Sequence, residues 1–357
     1  MKKHNFSAGP CVLPQEVLEQ ASQAVLNFNN LDLSLIEISH RSKDFIAVMD
    51  KAQALAKELL SVPEGYSVLF LQGGASTQFL MTVMNLLKKD GKGAYISTGS
   101  WSKKAITEGK KFGAIDVIAS SEDKNFNYIP KDYTCPEDAD YLHFTSNNTI
   151  FGTQFHEFPE VSEGTLLASD MSSDIFSRKI DVSKFGLIYA GAQKNMGPAG
   201  TTLVIVKDEI LNQTGRDIPT MLDYTTHISK ESMFNTPPVF AVYVSMLTLE
   251  WLKKNGGVEA IEKVNTAKAE LLYGEIDRNP LFEGVAAVED RSKMNVTFVL
   301  TDDSKQEAFD KLWNDAGVSG LKGHRSVGGY RASIYNALPL ESVQVLVNTM
   351  QELEKLS

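Results

Sequence analysis

Strand-like and helix-like patterns alternate through much of this chain, and that alternation limits its fold more than any other feature. Short apolar runs at 68–71, 94–97, 115–118, 141–144, 166–170, 187–190 and 202–206 read as strands. Continuous apolar runs of this length suit strands buried on both faces. Helices are expected after Pro14, where Val17, Leu18, Ala21, Ala24 and Val25 recur at helical spacing, and after Ser42, with Phe45, Met49, Ala52, Leu55 and Leu59 on one side. The stretches 79–87 and 239–252 read as further helices. Strands alternating with helices predict an α/β fold. Asn255-Gly256-Gly257 breaks the pattern. Beyond it a helix (258–276), a strand (295–300), a helix (305–316), a strand near 331–334 and a last helix from Glu341 predict a small α+β unit. The expected division is an N-terminal segment 1–15 packing with the small domain, a large domain 16–256, and a small domain 257–357.

One strand delivers a lysine into a small-residue turn: Leu187-Ile188-Tyr189-Ala190-Gly191-Ala192-Gln193-Lys194. An ammonium is costly to bury, so this is unusual placement for a solvated charge. It suits an amine that forms a Schiff base with a bound carbonyl compound. Leu166-Leu167-Ala168-Ser169-Asp170 ends a second strand in a carboxylate, 24 residues earlier. Pyridoxal phosphate needs such a pair: an Asp that keeps its pyridinium nitrogen protonated and a Lys that holds its aldehyde. Taken singly, the lysine would read as a surface residue and the aspartate as a cap or turn.

The segment Phe70-Leu71-Gln72-Gly73-Gly74-Ala75-Ser76-Thr77 reads as strand, glycine turn and helix start. Backbone N–H groups, the helix dipole and the hydroxyls of Ser76 and Thr77 would cradle a phosphate there. The chain has no P-loop, and the segment lacks the spaced glycine triplet of a dinucleotide fingerprint. Trp101 follows a strand and could stack on a flat ring, although a tryptophan is more often core. His40-Arg41, His324-Arg325 and Arg331 form a basic group, with the last three in a glycine-rich stretch. Three arginines and two histidines suit a substrate with two anionic groups.

A net charge of −10 argues against general nucleic-acid binding. Cys11 and Cys135 are the only cysteines, so no disulfide framework is expected and a reducing cytoplasm fits. No apolar stretch reaches the length of a membrane span, and none near the start has the form of a secretory signal.

With these segments in place, the chain resembles the phosphoserine aminotransferases, fold-type I pyridoxal-phosphate enzymes of class V. The resemblance runs nearly end to end. It includes Asn5-Phe6-Ser7-Ala8-Gly9-Pro10, Ser39-His40-Arg41-Ser42, Ser169-Asp170-Met171-Ser172-Ser173, Gly191-Ala192-Gln193-Lys194-Asn195, Asn235-Thr236-Pro237-Pro238 and Arg331-Ala332-Ser333-Ile334-Tyr335-Asn336. It implies a large domain with a mainly parallel seven-stranded sheet flanked by helices. It also implies roles at matching positions. Lys194 bonds the cofactor aldehyde and Asp170 pairs with the ring nitrogen, while Trp101 stacks on the ring and Thr149 binds the cofactor. Ala75, Ser76 and Gln193 hold the phosphate, with Asn235 and Thr236 reaching in from the other subunit of a homodimer. His40, Arg41, His324, Arg325 and Arg331 bind substrate. One departure is Ala75-Ser76, where some family members have Gly-Arg.

The implied substrates are L-glutamate and 3-phosphohydroxypyruvate, with a related step in vitamin B6 biosynthesis as a further family activity. An aminotransferase for small neutral substrates would not need the second anion site. A cysteine desulfurase would need a reactive cysteine late in the chain, and there is none beyond Cys135. A cofactor-binding protein without catalysis is disfavoured, because no catalytic position is replaced.

Overall fold

The computed structural model describes residues 3–325 and 327–357. Met1 and Lys2 of the expected N-terminal segment, and Ser326 of the expected anion-binding loop, lie outside the described residues. The seven apolar runs form one sheet, in the spatial order Tyr66–Leu71, Thr202–Lys207, Leu187–Gly191, Leu166–Asp170, Ala139–Thr145, Lys92–Ser97, Ala114–Ser120. The five strands from Leu187–Gly191 onward pair in parallel. Thr202–Lys207 runs antiparallel to both its neighbours. Ala139–Thr145 and Leu187–Gly191 are buried at every position, which explains their unbroken apolar runs. Ala114–Ser120 closes one edge and is largely exposed.

Helices cover both faces. On one, Val17, Phe45, Met49 and Val242 pack with Phe70, Leu142 and Ile188. On the other, Phe79, Val83 and Ile106 pack with Leu69, Tyr95, Tyr189 and Val204. Parallel strands bring their carboxyl ends to one edge of the sheet, where crevices for ligands form. Asp170 and Gly191 end adjacent strands there.

The helix expected over 79–87 begins five residues earlier, as Gly74–Leu86. Its apolar periodicity starts only at Phe79, because the first turn carries small and polar residues. Gly73 enters the helix at φ 92°, and a Cβ there would lie 2.0 Å from Thr77 Oγ1, so the turn requires glycine.

Phe282–Gly284, Asn295–Leu300 and Tyr330–Ser333 form an antiparallel sheet. Helices Gly257–Arg278, Gln306–Asp315 and Leu340–Lys355 supply Leu272, Phe309, Trp313 and Leu346 to its core. Phe6 joins that core, and His4–Asn5 pairs with Val318–Ser319. Phe282–Gly284 went unread in the sequence because three residues carry no periodicity. Among the described residues no helix is long and apolar enough to cross a membrane.

Candidate active site

Lys194 projects from the turn after Leu187–Gly191, and its Nζ donates to Thr149 Oγ1 at 2.7 Å. Its surface is only partly covered, yet protein atoms surround the amine densely. Burial lowers its pKa to about 8, opposed by the Asp170 carboxylate and assisted by the Arg331 guanidinium. Asp170, 4% exposed, ends the neighbouring strand. Burial raises its pKa, while hydrogen bonds from Ser172 and the charge of Lys194 pull it back. Both Ser172 donors, the backbone N at 2.9 Å and Oγ at 2.6 Å, meet the same oxygen, Oδ1. Among the described residues Oδ2 accepts no hydrogen bond.

Thr149 links two charged groups. Its hydroxyl meets Lys194, and its carbonyl accepts from Arg331 Nη1 at 3.4 Å. Arg331 lies in Tyr330–Ser333, and its Nε is buried without a partner among the described residues. Trp101 occupies the first turn of Ser100–Gly109, with its ring centroid 5.8 Å from Lys194 Nζ and its Nε1 buried without a partner among the described residues. The N-terminal segment crosses this region. Gly9 packs against Gln193 and Lys194, Tyr335 donates to the Ala8 carbonyl at 2.8 Å, and the Cys11 thiol donates to the Lys194 carbonyl. Burial pushes that thiol up to about 12, so Cys11 is no thiolate nucleophile although it touches the lysine backbone.

Ala75 and Ser76 lie in the first turn of Gly74–Leu86, and Ser76 is exposed. The early helix start turns their N–H groups into a helix N-terminus, which attracts anions. Asn235 and Thr236 are exposed and sit against Gln72 of their own chain, immediately before this turn. Asn235 Nδ2 donates to Gln72 Oε1 at 3.4 Å, and Gln72 donates to the Thr236 carbonyl.

His324, Arg325 and Arg331 are brought together. The pKa of His324 is lowered by burial and by the positive charges of Arg331, Arg325 and Lys104. Lys104 is a cation that the sequence reading missed. It stands one helical turn after Trp101, with its Nζ 4.3 Å from the indole centroid. Val327 packs against Phe126, Ile150 and Phe151, as Trp101 does, so the glycine-rich loop rests on the same cluster. His40 and Arg41 are not joined to this group: among the described residues neither has a hydrogen bond or ion pair to Lys194, His324 or Arg331. His40 Nε2 is buried without a partner, and Arg41 is exposed.

The sequence pattern by itself assigns Ser172 no role. An Asp followed two residues later by a backbone donor is a local turn signal, but only the fold directs the serine hydroxyl at the carboxylate.

The ensemble suits a flat, phosphate-bearing aldehyde with a ring nitrogen. It offers an indole face with an orphaned Nε1, an amine of lowered basicity, a buried carboxylate with one free oxygen, and a helix N-terminus. The model of the family described as "Aminotransferase class-V" matches residues 3–346. A phosphoserine aminotransferase of Flavobacterium johnsoniae is 66% identical over 355 residues, 99% of each chain. The solved phosphoserine aminotransferase of Bacillus circulans subsp. alkalophilus is 45% identical, with a TM-score of 0.96 over 99% of each chain. The PLP-bound phosphoserine aminotransferase of Trichomonas vaginalis is 36% identical, with a TM-score of 0.92 over 98% of this chain and 100% of that one. The chain therefore belongs to the class-V aminotransferases, within the phosphoserine aminotransferase family, and its cofactor is pyridoxal phosphate.

Proposed function

We propose that the chain transfers the amino group of L-glutamate to 3-phosphohydroxypyruvate, giving O-phospho-L-serine and 2-oxoglutarate. Identity to phosphoserine aminotransferases across the whole chain supports the substrate pair. The observation that carries the chemistry is Thr149 bonded on one side to a lysine of lowered basicity and on the other to an arginine.

Bound pyridoxal phosphate supplies an aldehyde that exchanges amine partners and a ring that withdraws electrons. Ala75, Ser76 and Gln193 would hold its phosphate, Trp101 would cover the ring and exclude water, and Thr149 would orient it. The Asp170 carboxylate would keep a proton on the ring nitrogen. Lys194 Nζ, as a neutral amine, would serve as the general base that accepts the α-proton of the amino acid. Its lowered pKa keeps a useful neutral fraction near pH 8. Arg331 binds the α-carboxylate common to both substrates. His324 and Arg325 meet the distal anion, a carboxylate in one half-reaction and a phosphate in the other; His40 and Arg41, the other expected anion partners, are not joined to them among the described residues of one chain.

In this reading two copies form a homodimer with shared sites, and Asn235 and Thr236 serve the neighbour's cofactor phosphate. Support comes from Phe234 and Phe240, which are 41% and 37% exposed on either side of these residues. The domain division falls at 256/257, with 1–15 attached to the small unit. Gly256 at φ 94°, where two helices meet, and Phe6 in the C-terminal core support it.

The test is an assay of purified protein with glutamate and paired keto acids. Strong preference for 3-phosphohydroxypyruvate over hydroxypyruvate is expected. Equal turnover of the two would replace this reading with an aminotransferase for small neutral substrates.

A further inference from the structure

We infer that Ser172 is a positioning residue for the transfer reaction: its hydroxyl aims the Asp170 carboxylate and ties it to the turn that carries Lys194. The inference rests on the proposed role of Asp170. Three hydrogen bonds define the arrangement. Ser172 Oγ lies 2.6 Å from Asp170 Oδ1, Ser172 N lies 2.9 Å from the same oxygen, and Gly191 N lies 3.0 Å from Ser172 Oγ. A serine hydroxyl has one proton. The Gly191 N–H can only donate, so at that contact the hydroxyl accepts. Its proton is thereby directed to Oδ1.

Two consequences follow. With Oδ1 held by two donors, Oδ2 is the oxygen left for a donor from the cofactor ring. The carboxylate also cannot swing about its Cβ–Cγ bond without breaking both bonds. The second consequence concerns the lysine. Gly191 is the last residue of its strand, and Lys194 follows three residues later. Ser172 therefore bridges the strand end that carries the acid and the strand end that carries the amine. Ser172 is 6% exposed and Asp170 is 4% exposed, so water does not replace a lost donor readily. The Ser172 bonds also oppose the effect of burial on Asp170, favouring its charged form.

The test compares holoenzymes of S172A, S172C and D170N with the unmutated protein. S172C retains the side-chain size with a weak donor, and covers the case in which S172A does not fold. The readouts are kcat and KM for both substrates, the pH midpoint of the visible absorbance of bound cofactor, and the affinity of each apoprotein for pyridoxal phosphate. Expected for both serine variants is a fall in kcat of about tenfold or more, with KM within about twofold. The absorbance midpoint should move in the same direction as in D170N, by less. An unmoved midpoint and kcat in S172A and S172C, beside an altered D170N, overturn the inference alone. A loss confined to cofactor affinity, with an unmoved midpoint, also overturns it, because that is a structural role. If D170N itself keeps normal rates and midpoint, the Asp170 reading fails and takes this inference with it.

Discussion

The two cationic regions at the carboxyl edge of the sheet are built in opposite ways. Lys194 stands among dense protein with a hydrogen bond to Thr149, and burial lowers its pKa to about 8. The region of His324, Arg325 and Lys104 lies nearer the surface, on a glycine-rich loop and one helical turn. The first arrangement lowers the basicity of one group, because a low-dielectric setting disfavours its charged form; in the proposed reading this suits it to proton transfer. The second sets cationic side chains around His324 on a loop and a helical turn near the surface, and in the proposed reading their freedom to adjust suits anions of different shape. Arg331 stands between them: it approaches Thr149 and also perturbs His324.

The sharpest way to break this contrast is at the lysine. K194A should cost at least ~10²–10⁴-fold in kcat, the range for a lost general base, with residual binding of the cofactor. Borohydride reduction of the unmutated holoenzyme should place the pyridoxyl label on Lys194, and a label elsewhere refutes the assignment. In the apoprotein, an amine-directed reagent should find Lys194 unusually reactive. With a pKa of about 8 it is half neutral at pH 8, whereas a lysine at 10.5 is roughly 0.3% neutral. The neutral fraction rises with pH, so the labelling rate should climb through about 8 and then level off. A climb that continues towards 10.5 would show an ordinary lysine.

Smaller effects test the recognition side. R331A should lower kcat/KM by ~10–150-fold for both substrates, the equivalent of one charge-assisted contact of ~1.5–3 kcal/mol. R325A should harm 3-phosphohydroxypyruvate more than an unphosphorylated keto acid, by about tenfold; equal losses would remove Arg325 from the distal site. Lys104→Met should show the smallest change, at most about fivefold and confined to the phosphorylated substrate, because an exposed charge contributes ~0.2–1 kcal/mol. A larger effect on glutamate would move Lys104 from recognition to the support of Trp101.

The strands were legible because the central ones are buried on both faces and therefore carry continuous apolar runs. The first residue of Gly74–Leu86 was less so: the glycine turn announces a helix start, but the first turn faces outward and has no periodic pattern. His40 and Arg41 show a different limit. Their residue types suit an anion, but among the described residues of one chain no hydrogen bond or ion pair joins them to Lys194. Asn235 and Thr236 are bonded to Gln72, a neighbour that no local spacing announces.

Local chemistry alone thus determined the α/β class, the lysine and aspartate at strand ends, and the glycine turn. These depend on backbone periodicity and on residues close in sequence, so one dimension records them. Only the tertiary structure decided that Thr149 bridges Lys194 and Arg331, that Lys104 joins His324, and that Ser172 directs its proton at Asp170 while Gly191 holds it. Such relations depend on the order in which strands pair and on where their ends meet. Residues 149, 194 and 331 lie far apart along the chain, and only the packed sheet and the C-terminal unit bring them within hydrogen-bonding distance.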